Sequence, residues 1–285
     1  MKTDALQAFL AQAVADAVGE PFEFGDPTRD QVQSFINSKV KLTITDDTQM
    51  ALFGLEGLTW AMVNGAKTKP QFLKEIKSAY LRWFSTQCEF DSLAIPKKGL
   101  LAYPEMWHQR APGSTCLASL RNHRQGKKSK PNESNGCGTV MRLLPFALFA
   151  EYNQQLAHDL AVDSSLYTHQ GHEIIATTYK YFGWSKGREP MDKEKITEYG
   201  RGWTARSCLE MANWAFTNST TYNDLLINAI AHPGDSDSVA AVAGSLWGMH
   251  GKSAPQELVD RLVEVPVITA TVLAFQQALE TYDSL

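Results

Sequence analysis

A chain of 285 residues with 44% hydrophobic and 20% charged residues can bury a substantial core, which excludes the intrinsically disordered class. Its formal net charge of -4 supplies no global field toward nucleic acid or an anionic membrane, and no apolar run approaches the roughly 18 residues that a bilayer span needs. Four scattered cysteines without a CxxC spacing argue against a structural zinc site and a disulfide framework.

The N-terminal residues lack the charged-then-apolar layout of a secretory signal, so a cytoplasmic location with reduced thiols is expected. Leu6, Phe9, Leu10, Ala13, Val14 and Ala17 recur at three- and four-residue steps and predict an amphipathic first helix. Asp46-Asp47-Thr48 ahead of Met50, Phe53, Leu55, Leu58 and Met62 predicts an acidic, capped start to a buried helix. A helix over 71–84 follows. The stretch 87–138 then breaks the rhythm with prolines, glycines and polar residues. Connections of that length inside a domain usually serve function, and its basic run over 121–130 reads as a solvated loop. Further helices are predicted over 145–161, 172–181, 203–216 and 222–231. Asp235-Ser236-Asp237-Ser238 opens another over 239–249, where Ala240, Ala241, Ala243, Gly244 and Ser245 are small enough for close helix approach. The last is expected over 268–281. Strand alternation is scarce, and neither a repeat nor a low-complexity linker marks a second domain, so an all-α, single-domain protein over 1–285 is predicted.

The two acidic helix starts, Thr45-Asp46-Asp47-Thr48 and Asp235-Ser236-Asp237-Ser238, share a design: carboxylates and a hydroxyl at the mouth of an apolar helix. Hard oxygen ligands of this kind suit Mg²⁺ or Mn²⁺. Taken singly, each cluster reads first as an N-cap, since Asp, Ser and Thr are preferred there and Asp complements the helix dipole. Were the two to converge, four carboxylates would repel in a partly dry cleft and call for a cation.

Six segments, in order along nearly the whole chain, resemble the ADP-ribosylglycohydrolase family, which includes the arginine-type ADP-ribosyl hydrolases and the dinitrogenase-reductase-activating glycohydrolases. They are Asp16-Ala17-Val18-Gly19-Glu20-Pro21-Phe22-Glu23-Phe24, Thr45-Asp46-Asp47-Thr48-Gln49-Met50, Arg110-Ala111-Pro112-Gly113-Ser114-Thr115-Cys116, Ser134-Asn135-Gly136-Cys137-Gly138-Thr139-Val140-Met141-Arg142, Thr168-His169 with Gly202-Trp203, and His232-Pro233-Gly234-Asp235-Ser236-Asp237-Ser238.

The resemblance implies a compact orthogonal helical bundle that holds two Mg²⁺ or Mn²⁺ ions. Their ligands would be Thr45, Asp46, Asp47, Asp235, Asp237 and Ser238. Glu23 would be a mobile acid beside them, sharing catalysis with Asp46, Asp47 and Asp237. Ser134, Gly136, Cys137 and Gly138 would cradle the diphosphate of ADP-ribose, with backbone N–H groups at a helix start forming the anion site. His169 would face the ligand, and Trp203 would either stack near the nucleoside or be ordinary core.

Where the family often reads T-H-G-H-P, this chain has Thr168-His169-Gln170-Gly171-His172-Glu173, so His172 receives no role. Asp91 lies near the family's D-I-G segment without its glycine and receives none either. The expected activity is removal of ADP-ribose from a modified protein side chain, arginine above all. The alternatives are an immunity protein against an ADP-ribosyltransferase toxin and a non-catalytic ADP-ribose-binding relative.

Overall fold

Small residues decide the central packing. In α1 (Ala5–Gly19) and the helix Ser236–Met249, a side chain at Gly248 would overlap Ala8, one at Gly244 would overlap the Ala11 carbonyl, and one at Gly19 would come within 2.6 Å of the Asp237 Cα. The two backbones therefore approach more closely than Leu- or Val-lined helices could. Asp4 caps α1 by accepting from Leu6 N and Gln7 N at 3.0 and 3.1 Å. Such a cap contributes about 1 kcal/mol. Fully burying Phe9, Val14 and Val18 contributes roughly 1.5–3 kcal/mol each, so tertiary packing holds this helix more than its cap does.

The chain is seen as a computed structural model that describes residues 3–87, 97–126 and 131–283. After α1 come α2 (Arg29–Ile36), α3 (Asp46–Val63), α4 (Lys69–Thr86), α5 (Ser114–Arg124), α6 (Leu144–Phe149), α7 (Gln154–Leu166) and α8 (Ile174–Lys186). Then follow α9 (Ala205–Thr217), α10 (Tyr222–Ile230), α11 (Ser236–Met249), α12 (Gln256–Val259) and α13 (Val265–Asp283). Short 3-10 turns join them, and among the described residues there is no strand beyond two isolated bridges. The all-α architecture is the expected one. Besides the α1–α11 pair, α3 packs on α4 and α13, and α11 on α9. One continuous hydrophobic cluster, with Phe9, Phe53, Trp83, Phe146 and Phe216 wholly buried in it, runs through these helices.

Several boundaries differ from the sequence reading: α8 runs on to Lys186, and the short helix α12 was not expected. The helix expected over 145–161 is two, because Asn153 turns the chain and caps α7 by accepting from Leu156 N at 3.1 Å. Part of the stretch 87–138 is helical: α5 buries only Cys116, Ser119 and Leu120, a face too narrow to show as periodicity, and it absorbs the start of the basic run. The polar helix α2 was also missed, since it buries only Val32 and Ile36. Cys88, Asp91 and Lys127–Lys130 lie outside the described residues, as do Met1 and Lys2.

Candidate active site where three helix ends meet

The N-termini of α3 and α11 and the C-terminal turn of α1 converge. Asp46 and Asp47 are the first residues of α3, and the hydroxyl of its N-cap Thr45 accepts from Asp47 N at 3.2 Å. Asp235 is the N-cap of α11 and accepts from Ser238 N at 3.3 Å. Asp237 stands in the first turn, and its Oδ1 accepts from the same amide at 2.9 Å. The two acidic segments meet directly where Ser238 Oγ donates to the Asp47 carboxylate at 3.1 Å. The capping and the convergence therefore occur together.

Asp16, which the sequence reading left without a role, stands between them. Its fully buried carboxylate accepts from Thr45 N at 3.1 Å, Thr45 Oγ1 at 2.7 Å and Thr48 N at 3.2 Å. Asp16, Asp47 and Asp237 can each place one oxygen within 4.8 Å of the others, and Glu23, Asp235 and Asp237 can do the same. Asp237 belongs to both triads. A signal for Asp16 was available: it is a charged residue inside the apolar face of α1, flanked by Ala13, Val14, Ala17 and Val18.

No ion pair among the described residues involves Asp16, Glu23, Asp46, Asp47, Asp235 or Asp237. Burial first, and then the charge of Asp237, pushes the Asp16 carboxyl up to about 7 and that of Glu23 up to about 8. The same causes, in the same order, lift Asp46, Asp47 and Asp235 well above the usual carboxylate range, and burial raises Asp237. Each group thus resists ionising where no ion pair among the described residues offsets its charge.

The carboxylates open into a cleft of about 360 Å³. Eleven of the thirteen residues expected at the site line it: Glu23, Asp46, Asp47, Asp235, Asp237, Ser238, Gly136, Cys137, Gly138, His169 and Trp203. The other two stand behind. Thr45 is bonded to Asp16, and Ser134 Oγ accepts from Gly136 N at 3.3 Å. His172 is exposed and does not line the cleft.

At the glycine turn the Cys137 amide donates to the Trp203 carbonyl at 3.2 Å, and Gly136 N is held by Ser134. Among the described residues, the first amide of the turn without a loop or side-chain partner is therefore that of Gly138. Cys137 Sγ donates to Asp235 Oδ2 at 2.9 Å, and burial and the neighbouring carboxylates raise this thiol, which suits a donor rather than a nucleophile. Both glycines make room for His169: a Cβ on Gly136 would lie 3.1 Å from Nε2, and one on Gly138 would lie 3.0 Å from Cε1 and 2.9 Å from Cys116 Sγ.

Trp203 is partly exposed rather than core, and it stacks on Phe24 with ring centroids 5.1 Å apart and an interplanar angle of 20°. Phe24, which the sequence reading assigned no role, is 75% exposed with a φ of 64°. Its amide donates to the Gly234 carbonyl at 3.3 Å, which ties the segment after Glu23 to the approach to α11.

Comparison with known proteins gives this geometry its context. The family model for ADP-ribosylglycohydrolase matches residues 2–181 and 180–283. The chain belongs to the ADP-ribosylglycohydrolase family. A solved structure described as an ADP-ribosylglycohydrolase-related protein complex superposes with a TM-score of 0.65 and 23% sequence identity, covering 96% of this chain and 97% of that one. At that identity the likeness establishes the fold. No curated protein matches in sequence. As an ADP-ribosylglycohydrolase, the chain is of a hydrolase family whose members are generally metal-dependent, and its clustered acids could hold metal. No helix among the described residues is long and apolar enough to cross a membrane.

Proposed function

We propose that this chain is a divalent-metal-dependent hydrolase that removes ADP-ribose from modified protein side chains, with arginine as the linkage its cleft fits best. The observation that carries the reading is the sharing of Asp237 between two triads of buried or half-buried carboxylates, none of which has an ion-pair partner among the described residues. The donor set suits two Mg²⁺ or Mn²⁺ ions: hard oxygens from Asp47, Asp235 and Asp237 of the two triads, with Asp46 and the Ser238 hydroxyl lining the same cleft and Thr45 behind, bonded to Asp16. Asp16 buttresses that set and offers a further oxygen. Bound there, such ions would neutralise the carboxylates, orient ribose hydroxyls and lower the pKa of a water.

The chain's own residues supply the rest. Cleavage at the anomeric carbon develops oxocarbenium-like positive charge, which the ring of carboxylates is placed to stabilise. Glu23 is the half-exposed member of the acidic set, so it is the one that can reach the departing side chain and hand it a proton. The Gly138 amide and His169 offer donors to the diphosphate and ribose. A guanidinium-linked leaving group suits a mouth built from Glu23 and the stacked Phe24–Trp203 pair, since cations favour aromatic faces. The Asp-Ser-Asp-Ser form of the second acidic motif, in place of Asp-Thr-Asp-Thr, agrees with an arginine preference.

The test is a panel of arginine-, serine- and DNA-base-linked ADP-ribose substrates, assayed with Mg²⁺ or Mn²⁺ and again with excess chelator. Release from arginine in metal and none in chelator is the expected result. Undiminished turnover in chelator, or by the Asp46→Ala and Asp47→Ala variants in metal-buffered solution, refutes the metal mechanism. Preferential release from serine or a DNA base refutes the linkage.

A further inference from the structure

Arg142 ends the 3-10 turn Cys137–Arg142 and is completely buried, yet no ion pair among the described residues includes it. A guanidinium buried without a counter-charge is costly. Its surroundings are specific. The group lies over the Tyr80 ring at 4.7 Å, and NH1 faces the weak acceptors Met50 Sδ at 3.4 Å and Cys116 Sγ at 3.7 Å. Its Nε has no partner among the described residues. The strong contacts are made by NH2, to the Ser164 carbonyl at 3.1 Å and to Thr168 Oγ1 at 2.6 Å.

Thr168 Oγ1 accepts from Arg142 and has one hydrogen of its own to place. Two acceptors are within reach, the Ser165 carbonyl at 3.4 Å and His169 Nδ1 at 2.8 Å. The Ser165 carbonyl already accepts from Thr168 N at 3.1 Å and His169 N at 3.0 Å, which occupies both of its lone pairs. The backbone here is held fast as well, since the Thr168 carbonyl accepts from Ser119 Oγ and Asn132 Nδ2, each at 2.8 Å. The Thr168 hydroxyl hydrogen therefore goes to His169 Nδ1.

We propose that Arg142 and Thr168 form a positioning relay that makes Nδ1 of His169 an acceptor, so that the imidazole meets its ligand neutral, with its one hydrogen on Nε2. Nε2 stands at the glycine turn of the cleft and has no partner among the described residues. Its N–H is then a donor for an acceptor oxygen of phosphate or ribose, a use that rests on the ADP-ribosyl reading of the cleft. The opposite tautomer would turn a lone pair toward that oxygen and repel it. Burial, and then the nearby Arg142 charge, pushes the ring down to about 3, which keeps the donor uncharged at neutral pH.

The tautomer is read directly by ¹⁵N NMR of the histidine rings in the full-length protein. Wild type and Thr168→Ser are expected to show His169 protonated on Nε2 alone. Thr168→Val, which keeps the shape and removes the hydroxyl, is expected to lose that exclusive form. Calorimetry with ADP-ribose in Mg²⁺ should then give a Kd about tenfold weaker for Thr168→Val, the loss of one good hydrogen bond, and recovery in Thr168→Ser. Wild-type His169 carrying its hydrogen on Nδ1 overturns the relay, and this holds even if the valine variant does not fold. Thr168→Val with a pure Nε2–H ring and wild-type affinity overturns it too. Wild-type protein that shows the Nε2–H ring but does not bind ADP-ribose refutes the reading of the cleft and leaves the relay standing.

Discussion

At the scale of single residues the site depends on what is small as much as on what is charged. Gly138 has no room for a side chain, because a Cβ there would press on both Cys116 Sγ and the His169 ring. Cys116 and His169 both line the cleft, so whichever of them gives way disturbs its donor edge. Gly138→Ala is expected to leave the helical circular dichroism intact and to weaken ADP-ribose binding about tenfold, the measure of one displaced donor. Unchanged calorimetric affinity would show that this edge does not face the ligand. Asp237 has the opposite character. Replacing it with Asn keeps the shape and removes the carboxylate common to both triads, so hydrolysis should fall by at least about 10²-fold, the order seen when one preorganised electrostatic group is lost. Measurable turnover within a few-fold of wild type would mean that the shared carboxylate is not central. The acidic motifs were legible residue by residue. Asp16 stood out as a lone carboxylate in an apolar helix, but its purpose shows only once Thr45 and Thr48 are seen donating to it.

Helices set the distance between those residues. Gly244 lets α11 rest on the backbone of α1 at Ala11, and the same closeness brings Asp16 to Asp237. Gly244→Val would force the pair apart, with a destabilisation of about 1–3 kcal/mol from overpacking. Metal affinity is expected to fall with it, because residue 244 lies seven positions beyond Asp237 on the same helix. Urea unfolding and metal titration of the variant check both, and a stability loss with wild-type metal affinity would separate the packing from the site. The start of α13 carries another such link. Glu264 is buried, its Oε2 accepts from Ile44 N at 3.3 Å just before α3, and burial pushes its carboxyl from 4.5 up to about 7. The charge of Arg110 lowers that value and the charge of Glu105 raises it, both less than burial does. A raised folded-state pKa means that the native protein holds the proton more tightly than the unfolded chain. The group's contribution is therefore full below about pH 4.5 and is lost as pH rises through about 7. Glu264→Gln cannot ionise, so between about pH 4 and about pH 8 its stability should gain on that of wild type by about 2–3 kcal/mol. Chelator-treated protein unfolded in urea at both pH values gives the comparison, and parallel behaviour of the two proteins would contradict it.

Across the whole molecule, the sequence revealed most where burial was strong. The apolar faces of α1, α3 and α11 stood out because each is buried along nearly its full length, and the short runs at 46–47 and 235–238 marked where two of them begin. The marginal helices α2 and α5 escaped because each buries too few residues to imprint a period. The meeting of the acidic segments could not be read at all without the family resemblance, since a contact between residues 47 and 238 depends on how the intervening helices pack. That long span has a thermodynamic consequence. The candidate ligands sit near residue 16, at 46–47 and at 235–237, so an ion held by them ties distant parts of the chain together and binds the folded state alone. A ligand at about 100 times its Kd then stabilises the fold by about 2.7 kcal/mol, and relief of the repulsion among the carboxylates acts in the same direction. Adding Mg²⁺ or Mn²⁺ to chelator-treated protein is expected to raise Tm by several degrees in proportion to the logarithm of free metal. Asp237→Asn should show a much smaller rise, and Ca²⁺, which prefers a larger and more flexible shell, should act more weakly. A Tm that ignores Mg²⁺ and Mn²⁺ in the wild-type chain would mean that the converged carboxylates are stabilised as protonated acids and do not form a metal centre.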